Sequence, residues 1–413
     1  MTRQRYVIVG GGVAAASAAA GLRSHGFDGE VVMVSDDPVL PYERPPLSKQ
    51  VLAQPTQPEP TYLKPESWYA DNDVTAMLKV RATAFDPRAR TVELSTGESL
   101  RYSGLLLATG VRARTLPGVE GEHVLTLRSL ADASLLRRRL AAAQKIVVLG
   151  GGFIGCEVAA SAVALGKRVT IVERTASLME AALGPALGEV LTDVHRAAGV
   201  QLVLRSVVQQ VTDTASHAVV HTTRGVVEAD LVLIGAGTVP NTELAGAAGL
   251  DLDGGVVTDE YSRTSVPGVY AAGDVASIYH PYYGKRLRVE HHDTAMHHGI
   301  SAAKNMLGTA EPFREPHWFW SDQYSHTLHQ VGRAEPGDEL VVRGSMDDLS
   351  FSAFYLRDSR ITKVISLNRP KDVLVARRLL FSEHTATKDL LLDESLPLNR
   401  LAPRRSTSRA EAS

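Results

Sequence analysis

Gly150, Gly152 and Gly155 follow an apolar run at 146–149 and precede an alanine-rich stretch. The segment KIVVLGGGFIGCEVAASAVALGKRVTIVER (145–174) therefore reads as strand, tight turn, helix and second strand. In this spacing the first glycine permits the turn, the second admits a pyrophosphate close to the backbone, and the third lets helix and strand approach. The helix start then offers free N–H groups and a positive dipole end to phosphates. Glu173 closes the second strand, where a carboxylate can accept hydrogen bonds from a ribose. The predicted chemistry is dinucleotide binding; a strand-to-helix turn without ligand is the plainer reading.

The same design opens the chain. Gly10 and Gly12 follow YVIV, Ala15 occupies the place of the third glycine, and Asp36 ends the next apolar strand. Two such units separated by more than a hundred residues predict two dinucleotides: a tightly held flavin dinucleotide and an exchanging nicotinamide dinucleotide. That pair is the inventory of a hydride-to-flavin oxidoreductase. Beyond Asp36, PVLPYERPPLSK (38–49) is stiffened by prolines and carries Lys49, which is expected near the polar edge of a flavin ring; a surface turn with solvated charges is the alternative. Residues 50–80 read as irregular. LLLATG (105–110) is a buried strand where the chain leaves the first domain, and LVLIGAGTVPN (231–241), with Gly237, is the return crossing near the nicotinamide. In GVYAAGDVA (268–276), Asp274 is suited to bonding a flavin ribityl chain.

These segments need a scaffold that a chain of 413 residues, 44% hydrophobic, is long enough to build as two or three domains. A net charge of -2 argues against nucleic-acid or membrane binding. The start MTRQRYVIVGGG enters a strand at once without a signal-peptide apolar region, and no apolar run reaches the roughly 20 residues that span a bilayer. Cys156 is the sole cysteine, so an internal dithiol is impossible. A soluble, cytoplasmic protein is expected. Because GVYAAGDVA returns to the first unit, the fold class is α/β. Two Rossmann-like dinucleotide-binding domains are expected, the NAD domain (111–237) inserted in the FAD domain (1–110 and 238–312). A C-terminal α+β domain (313–400) and a disordered tail (401–413) complete the chain.

RPPLSK, LLLATG, GGGFIGCEVAA, GVYAAGDVA, WFWSDQY (318–324) and SLNRP (366–370) together resemble the FAD-dependent ferredoxin reductases of oxygenase systems, of the putidaredoxin reductase type, from about residue 5 to 400. More distantly the chain is similar to apoptosis-inducing factor and the glutathione-reductase-type flavoproteins. The resemblance implies FAD at Gly12, Ala14, Asp36, Arg44, Lys49, Ala82, Arg128 and Asp274, and NAD(H) at Gly152, Phe153, Gly155 and Glu173, with Phe153 shielding the flavin. It pairs Lys49 with Glu157 beside flavin N5. Placing Glu157 close to the helix start agrees with the dipole, while a solvated first-turn acid is the bland alternative. It also sets Trp320 over the flavin-side surface where an iron–sulfur ferredoxin docks; core packing is the plainer reading of each tryptophan and the favoured one for Trp318.

The implied activity is NADH-dependent reduction of a ferredoxin that feeds a cytochrome P450 or Rieske-type oxygenase, by a monomer or weak dimer. The alternative is a redox-sensing flavoprotein acting through NADH-dependent interaction. Glu173 favours NADH over NADPH, a preference Arg174 could soften. The chain departs from the family in RVEHHDTAMHHGISAAKNMLG (288–308), where His291, His292, His297 and His298 replace the usual residues. His292 is expected to contact or cover the flavin ring. No metal site is expected, for want of a matching cysteine or acidic cluster. In the last domain four short strands precede a helix, KDVLVARRLL, whose Lys371, Arg377 and Arg378 could steer an acidic ferredoxin or simply form a solvated face.

Overall fold

A computed structural model describes residues 3–54, 59–380 and 385–400. The expected tail at 401–413 lies outside the described residues. The chain divides into two compact units, residues 1–315 and 316–413.

The first unit contains two five-stranded parallel sheets of matching design. In one, Arg5–Val9 is central, with Glu30–Val34 and Val74–Met77 on one side and Gly104–Leu107 and Val269–Ala271 on the other. Both faces of this sheet are covered, which is why its strands are continuous apolar runs rather than alternating ones. Val7, Val9, Leu105 and Leu107 enter one core, while Tyr6, Ile8 and Leu106 enter the other. Each fully buried aliphatic side chain contributes roughly 1.5–3 kcal/mol. Helix α1 (Val13–Ser24) packs over the second of these cores. The reading of 50–80 as irregular is corrected here: Val74–Met77 pairs in parallel with Val31–Val34, and four residues carry too short a pattern to be legible alone.

The second sheet has Lys145–Leu149 at its centre, Arg168–Val172 and Gln201–Val203 on one side, and Leu231–Ile234 and Val124–Thr126 on the other. Helix α2 (Leu130–Ala142) begins on a capping box between Ser129 and Asp132, and α3 (Phe153–Ala164) follows the glycine turn. The two crossings between the sheets, Val111–Ala113 and Thr238–Pro240, pair antiparallel. Helix α4 (His292–Met306) then closes the unit by packing on α1 through small residues; a Cβ on Gly299 would lie 2.3 Å from the Ala14 carbonyl oxygen.

The second unit is a five-stranded antiparallel sheet in the order Trp318–Gln323, His326–Gly332, Arg360–Leu367, Ser350–Arg357 and Glu339–Ser345. The expectation of four strands is corrected to five, because the alternating WFWSDQ run is itself the first of them. Helix α5 (Pro370–Leu379) lays Val373, Ala376 and Leu379 against Val331, Phe354 and Val364. Buried Arg343 donates to the carbonyls of Leu391, Asp393 and Leu396 at 2.9, 2.8 and 2.8 Å, tying the following segment to the sheet.

Candidate functional site

The two glycine turns occupy equivalent places in their sheets, and their backbones explain the residue choice. Gly10 (φ +140°) and Gly150 (φ +109°) each lie against the end of the strand beside them. Added Cβ atoms would stand 2.1 Å from the Ala108 oxygen and 2.6 Å from the Gly235 oxygen. Gly12 and Gly152 cap α1 and α3 with no side-chain hydrogen bond and open space where a Cβ would be, and neither helix has an acid in its first turn. Both helix starts are thus clear for anionic phosphates. The third position differs. A Cβ on Gly155 would fall 2.1 Å from the Gly150 oxygen, whereas Ala15 is accommodated in the core, with Ala14 beside it.

The acids that end the second strands differ as well. Asp36 is exposed and bonded by Arg81 Nη2 at 2.9 Å. Glu173 turns back on its own turn: Oε2 accepts from the Gly151 N–H at 2.6 Å and Oε1 from the Thr175 N–H at 2.8 Å. Arg174 is exposed. Ala82 begins the strand Ala82–Asp86 of a small antiparallel sheet, and Gly237 (φ +88°) sits in the return crossing with open space at its Cβ position.

Lys49 and Glu157 meet. Lys49 Nζ lies 3.0 Å from Glu157 Oε1 and donates to the Pro45 carbonyl at 3.2 Å. Ser48 Oγ donates to Glu157 Oε2 at 2.5 Å, and Ser161, one turn further along α3, donates to the Ser48 carbonyl at 2.8 Å. Glu157 is 4% exposed, so the solvated-acid reading does not hold. The dipole argument is corrected too: α3 starts at Phe153, which puts Glu157 in the second turn, where the pair and Ser48 hold it rather than the helix end. Phe153 itself is half-buried at the first helical position.

A second charged cluster surrounds Asp274. Arg128 Nη2 bonds its Oδ2 at 2.8 Å, and Arg44 Nη1 donates to the Arg128 carbonyl at 2.9 Å while its guanidinium lies over the Tyr42 ring. Burial raises the Asp274 carboxyl above the usual carboxylate range against the pull of Arg128, and burial together with Arg128 lowers the Arg44 guanidinium. His292 Nε2 lies 2.8 Å from Glu43 Oε2, in the loop that carries Arg44 and Lys49. Burial pushes His291 down to about 4, and His297 Nε2 stands 3.5 Å from Asp293. The four histidines thus have separate surroundings. No group of three or more metal-ligating side chains occurs among the described residues.

Sequence reasoning missed Ser48, Ser161, Glu43 and Glu290. Glu290 accepts from Thr238 Oγ1 and Arg288 Nη1, both at 2.5 Å. Ser48 lay within a motif already singled out, and a hydroxyl beside the expected cation was its only signal. Ser161, Glu43 and the Thr238 contact of Glu290 join distant segments that no local spacing reveals.

Residues 4–299 match one family, described as pyridine nucleotide-disulphide oxidoreductase, and residues 318–402 match another, described as reductase C-terminal. The chain belongs to the pyridine nucleotide-disulphide oxidoreductase family. It is 36% identical over 404 residues to putidaredoxin reductase CamA of Pseudomonas putida, covering 96% of each chain. It is also 36% identical over 402 residues to the anthranilate 1,2-dioxygenase system ferredoxin--NAD(+) reductase component of Burkholderia cepacia, covering 96% of this chain and 99% of that one. The crystal structure of the ferredoxin reductase for the CYP199A2 system from Rhodopseudomonas palustris superposes with a TM-score of 0.94 at 32% identity, over 97% of this chain and 100% of that one.

Membership of this family implies FAD and NAD(H), and the site residues fit both. Each helix start is uncapped and open, the Gly273–Asp274 turn with its Arg128 partner packs against the first, and an acid follows each glycine turn. The disulphide chemistry in the family's name has no counterpart here. Cys156 is the only cysteine, fully buried, its thiol raised by burial and by Glu157. Trp320 belongs to the second unit, where its ring stacks on Trp318 at 5.1 Å; Trp318 packs against that unit's core. Lys371 and Arg378 are exposed on α5, with Arg377 half-buried.

Proposed function

We propose that this chain is an NADH-dependent, FAD-containing ferredoxin reductase. It delivers electrons to an iron–sulfur ferredoxin that supplies a cytochrome P450 or Rieske-type oxygenase. The observation that carries the reading is the buried join between the two nucleotide modules, in which Lys49 and Ser48 of the first hold Glu157 of the second. A charged pair so enclosed keeps the facing surfaces of the two cradles in one fixed relation. Bound FAD supplies the step that turns a two-electron hydride donor into one-electron delivery. The chain's own part is to bind and orient: Gly12 with α1, Arg44 and Arg128 for the first dinucleotide, Gly152 with α3 and Glu173 for the second. Lys49 and Glu157 present a cation and an anion where the two ligands meet.

In this reading residues 1–110 with 238–312 hold FAD, 111–237 hold NAD(H), and 313–400 present Trp320 to the ferredoxin. His292, paired with Glu43 at the start of α4, would contact or cover the flavin ring. The protein acts as a cytoplasmic monomer or weak dimer; no helix among the described residues is long and apolar enough to cross a membrane. Relatives matching nearly the whole chain are named as ferredoxin reductases, which favours this reading over redox sensing.

The test is NADH oxidation by the purified chain, with cytochrome c as final acceptor. Rapid reduction only when an iron–sulfur ferredoxin is added is expected, with FAD released on denaturation. Sluggish turnover with a lasting charge-transfer band and NADH-driven dimerisation would replace the reductase with a sensor.

A further inference from the structure

His298 is buried on α4 and makes two hydrogen bonds that fix its state. Its Nδ1 accepts from the Gly273 N–H at 3.2 Å, and its Nε2 lies 3.0 Å from Ser262 Oγ. A backbone amide can only donate, so Nδ1 carries no proton and the ring proton is on Nε2, directed at the serine. Protonating Nδ1 would set donor against donor. Burial, with nearby His280, drives the imidazole down to about 3, so this tautomer persists through the neutral range. The ring lies 5.0 Å from that of Phe313, whose other neighbour is His280, itself bonded to the Glu315 carbonyl.

The amide it holds belongs to the turn that carries Asp274. Gly273 has φ +76°, and a Cβ there would stand 2.7 Å from Ala14 Cβ and 3.7 Å from Ala295 Cβ, so the turn is wedged between the first turn of α1 and α4. Ser262, at the other end of the imidazole, accepts through its carbonyl from the Ala271 N–H at 3.0 Å, on the strand leading into the same turn. One side chain therefore grips the turn directly and its incoming strand indirectly, and both grips set how far the Asp274 carboxylate stands from the open start of α1.

We propose that His298 is a positioning residue for the flavin site, holding the Gly273–Asp274 turn from behind as the Nε2–H tautomer. This rests on the reading of that site as the FAD cradle. Loss of the imidazole leaves a buried N–H without an acceptor, the more costly half of a broken hydrogen bond. The turn then relaxes, and Asp274 with its Arg128 partner shifts from the ligand.

The experiment measures FAD release from the full-length holoprotein by the rise of flavin fluorescence on dilution, together with NADH:ferricyanide kcat and KM. Asn at 298 keeps an acceptor where Nδ1 stands, Gln places its polar end at Nε2, and Leu keeps neither. His298→Leu is expected to release FAD about tenfold to a hundredfold faster, as an unsatisfied buried amide predicts. His298→Asn is expected to stay within about threefold of the parent, with KM for NADH unchanged, because the loss falls on FAD retention alone. Should His298→Leu fail to fold, the comparison of Asn with Gln decides: slower release from Asn supports the assignment, and equal or faster release overturns it. Parent-like release from His298→Leu also overturns it. A parent chain that carries no flavin would instead overturn the FAD reading itself.

Discussion

Lys49 and Glu157 stand 3.0 Å apart with side chains only 12% and 5% exposed, one on the loop after the first nucleotide unit and the other on the helix of the second. Taking two charges from water costs several kcal/mol each, set against their mutual attraction and the bonds to Ser48 and the Pro45 carbonyl. Removing one partner strands the other. Glu157→Ala is expected to destabilise by roughly 3–5 kcal/mol, as for other broken buried pairs. It should also slow flavin reduction by NADH more than it weakens NADH binding. Stopped-flow reduction across NADH concentrations separates the two; a change confined to binding would make α3 a nucleotide cradle and nothing more.

Ser48→Ala deletes one hydrogen bond to a charged acceptor while leaving the ion pair in place. Its cost is expected at about 1.5–3 kcal/mol. Combined with Glu157→Gln, which can still accept from Ser48 but no longer pairs with Lys49, the two effects should be non-additive because they share a carboxylate. Thermal unfolding of the two single variants and the double variant checks this, and strict additivity would show that the hydroxyl and the cation act separately.

The third positions of the two glycine turns should respond differently. Gly155→Ala forces a methyl to 2.1 Å from a backbone oxygen that cannot swing aside, so α3 must move. Overpacking of this kind costs about 1–3 kcal/mol, and KM for NADH should rise at least about tenfold. Ala15→Gly removes a buried methyl and adds backbone freedom, a cost of roughly 0.5–1 kcal/mol for the freedom alone, with FAD retained. Coenzyme kinetics and flavin content report the two sites independently.

Acid should loosen the fold through its buried histidines. The folded imidazoles of His298 and His291 are lowered from 6.5 to about 3 and about 4, so the unfolded chain binds more protons below 6.5. Stability is then complete above pH 6.5 and lost progressively as pH falls toward 4. The midpoint temperature, followed from pH 7.5 to about 4.5, should drop less steeply in His298→Asn, which removes one of these groups. A slope identical to the parent's would show that His298 does not contribute.

Legibility followed the range of each constraint. Gly10, Gly12, Gly150 and Gly152 were readable because a phosphate-binding turn is specified within a few residues of its own strand. Ala15 was readable as a variant, but why alanine fits there and not at 155 depends on the distance between helix and turn. The side-chain direction of Glu173 was hidden, since Gly151 and Thr175 compete for it in three dimensions. The Val74–Met77 strand and the Trp318–Gln323 strand escaped notice for different reasons: one is short, and the other was conspicuous enough as a motif to mask its alternation. Ser48, Ser161 and Glu43 meet partners more than a hundred residues away, and nothing in their own neighbourhood encodes that meeting.

The paired crossings have a practical meaning. Val111–Ala113 and Thr238–Pro240 run side by side, with Ala113 opposite Thr238, so everything between them leaves and re-enters the first sheet's territory through a single doorway about 5 Å wide. The segment between them could in that sense be replaced as a cassette without rerouting the rest of the polypeptide. A graft has one further lock to fit: an acid at 157 and a hydroxyl at 161 that meet Lys49 and the Ser48 backbone of the recipient.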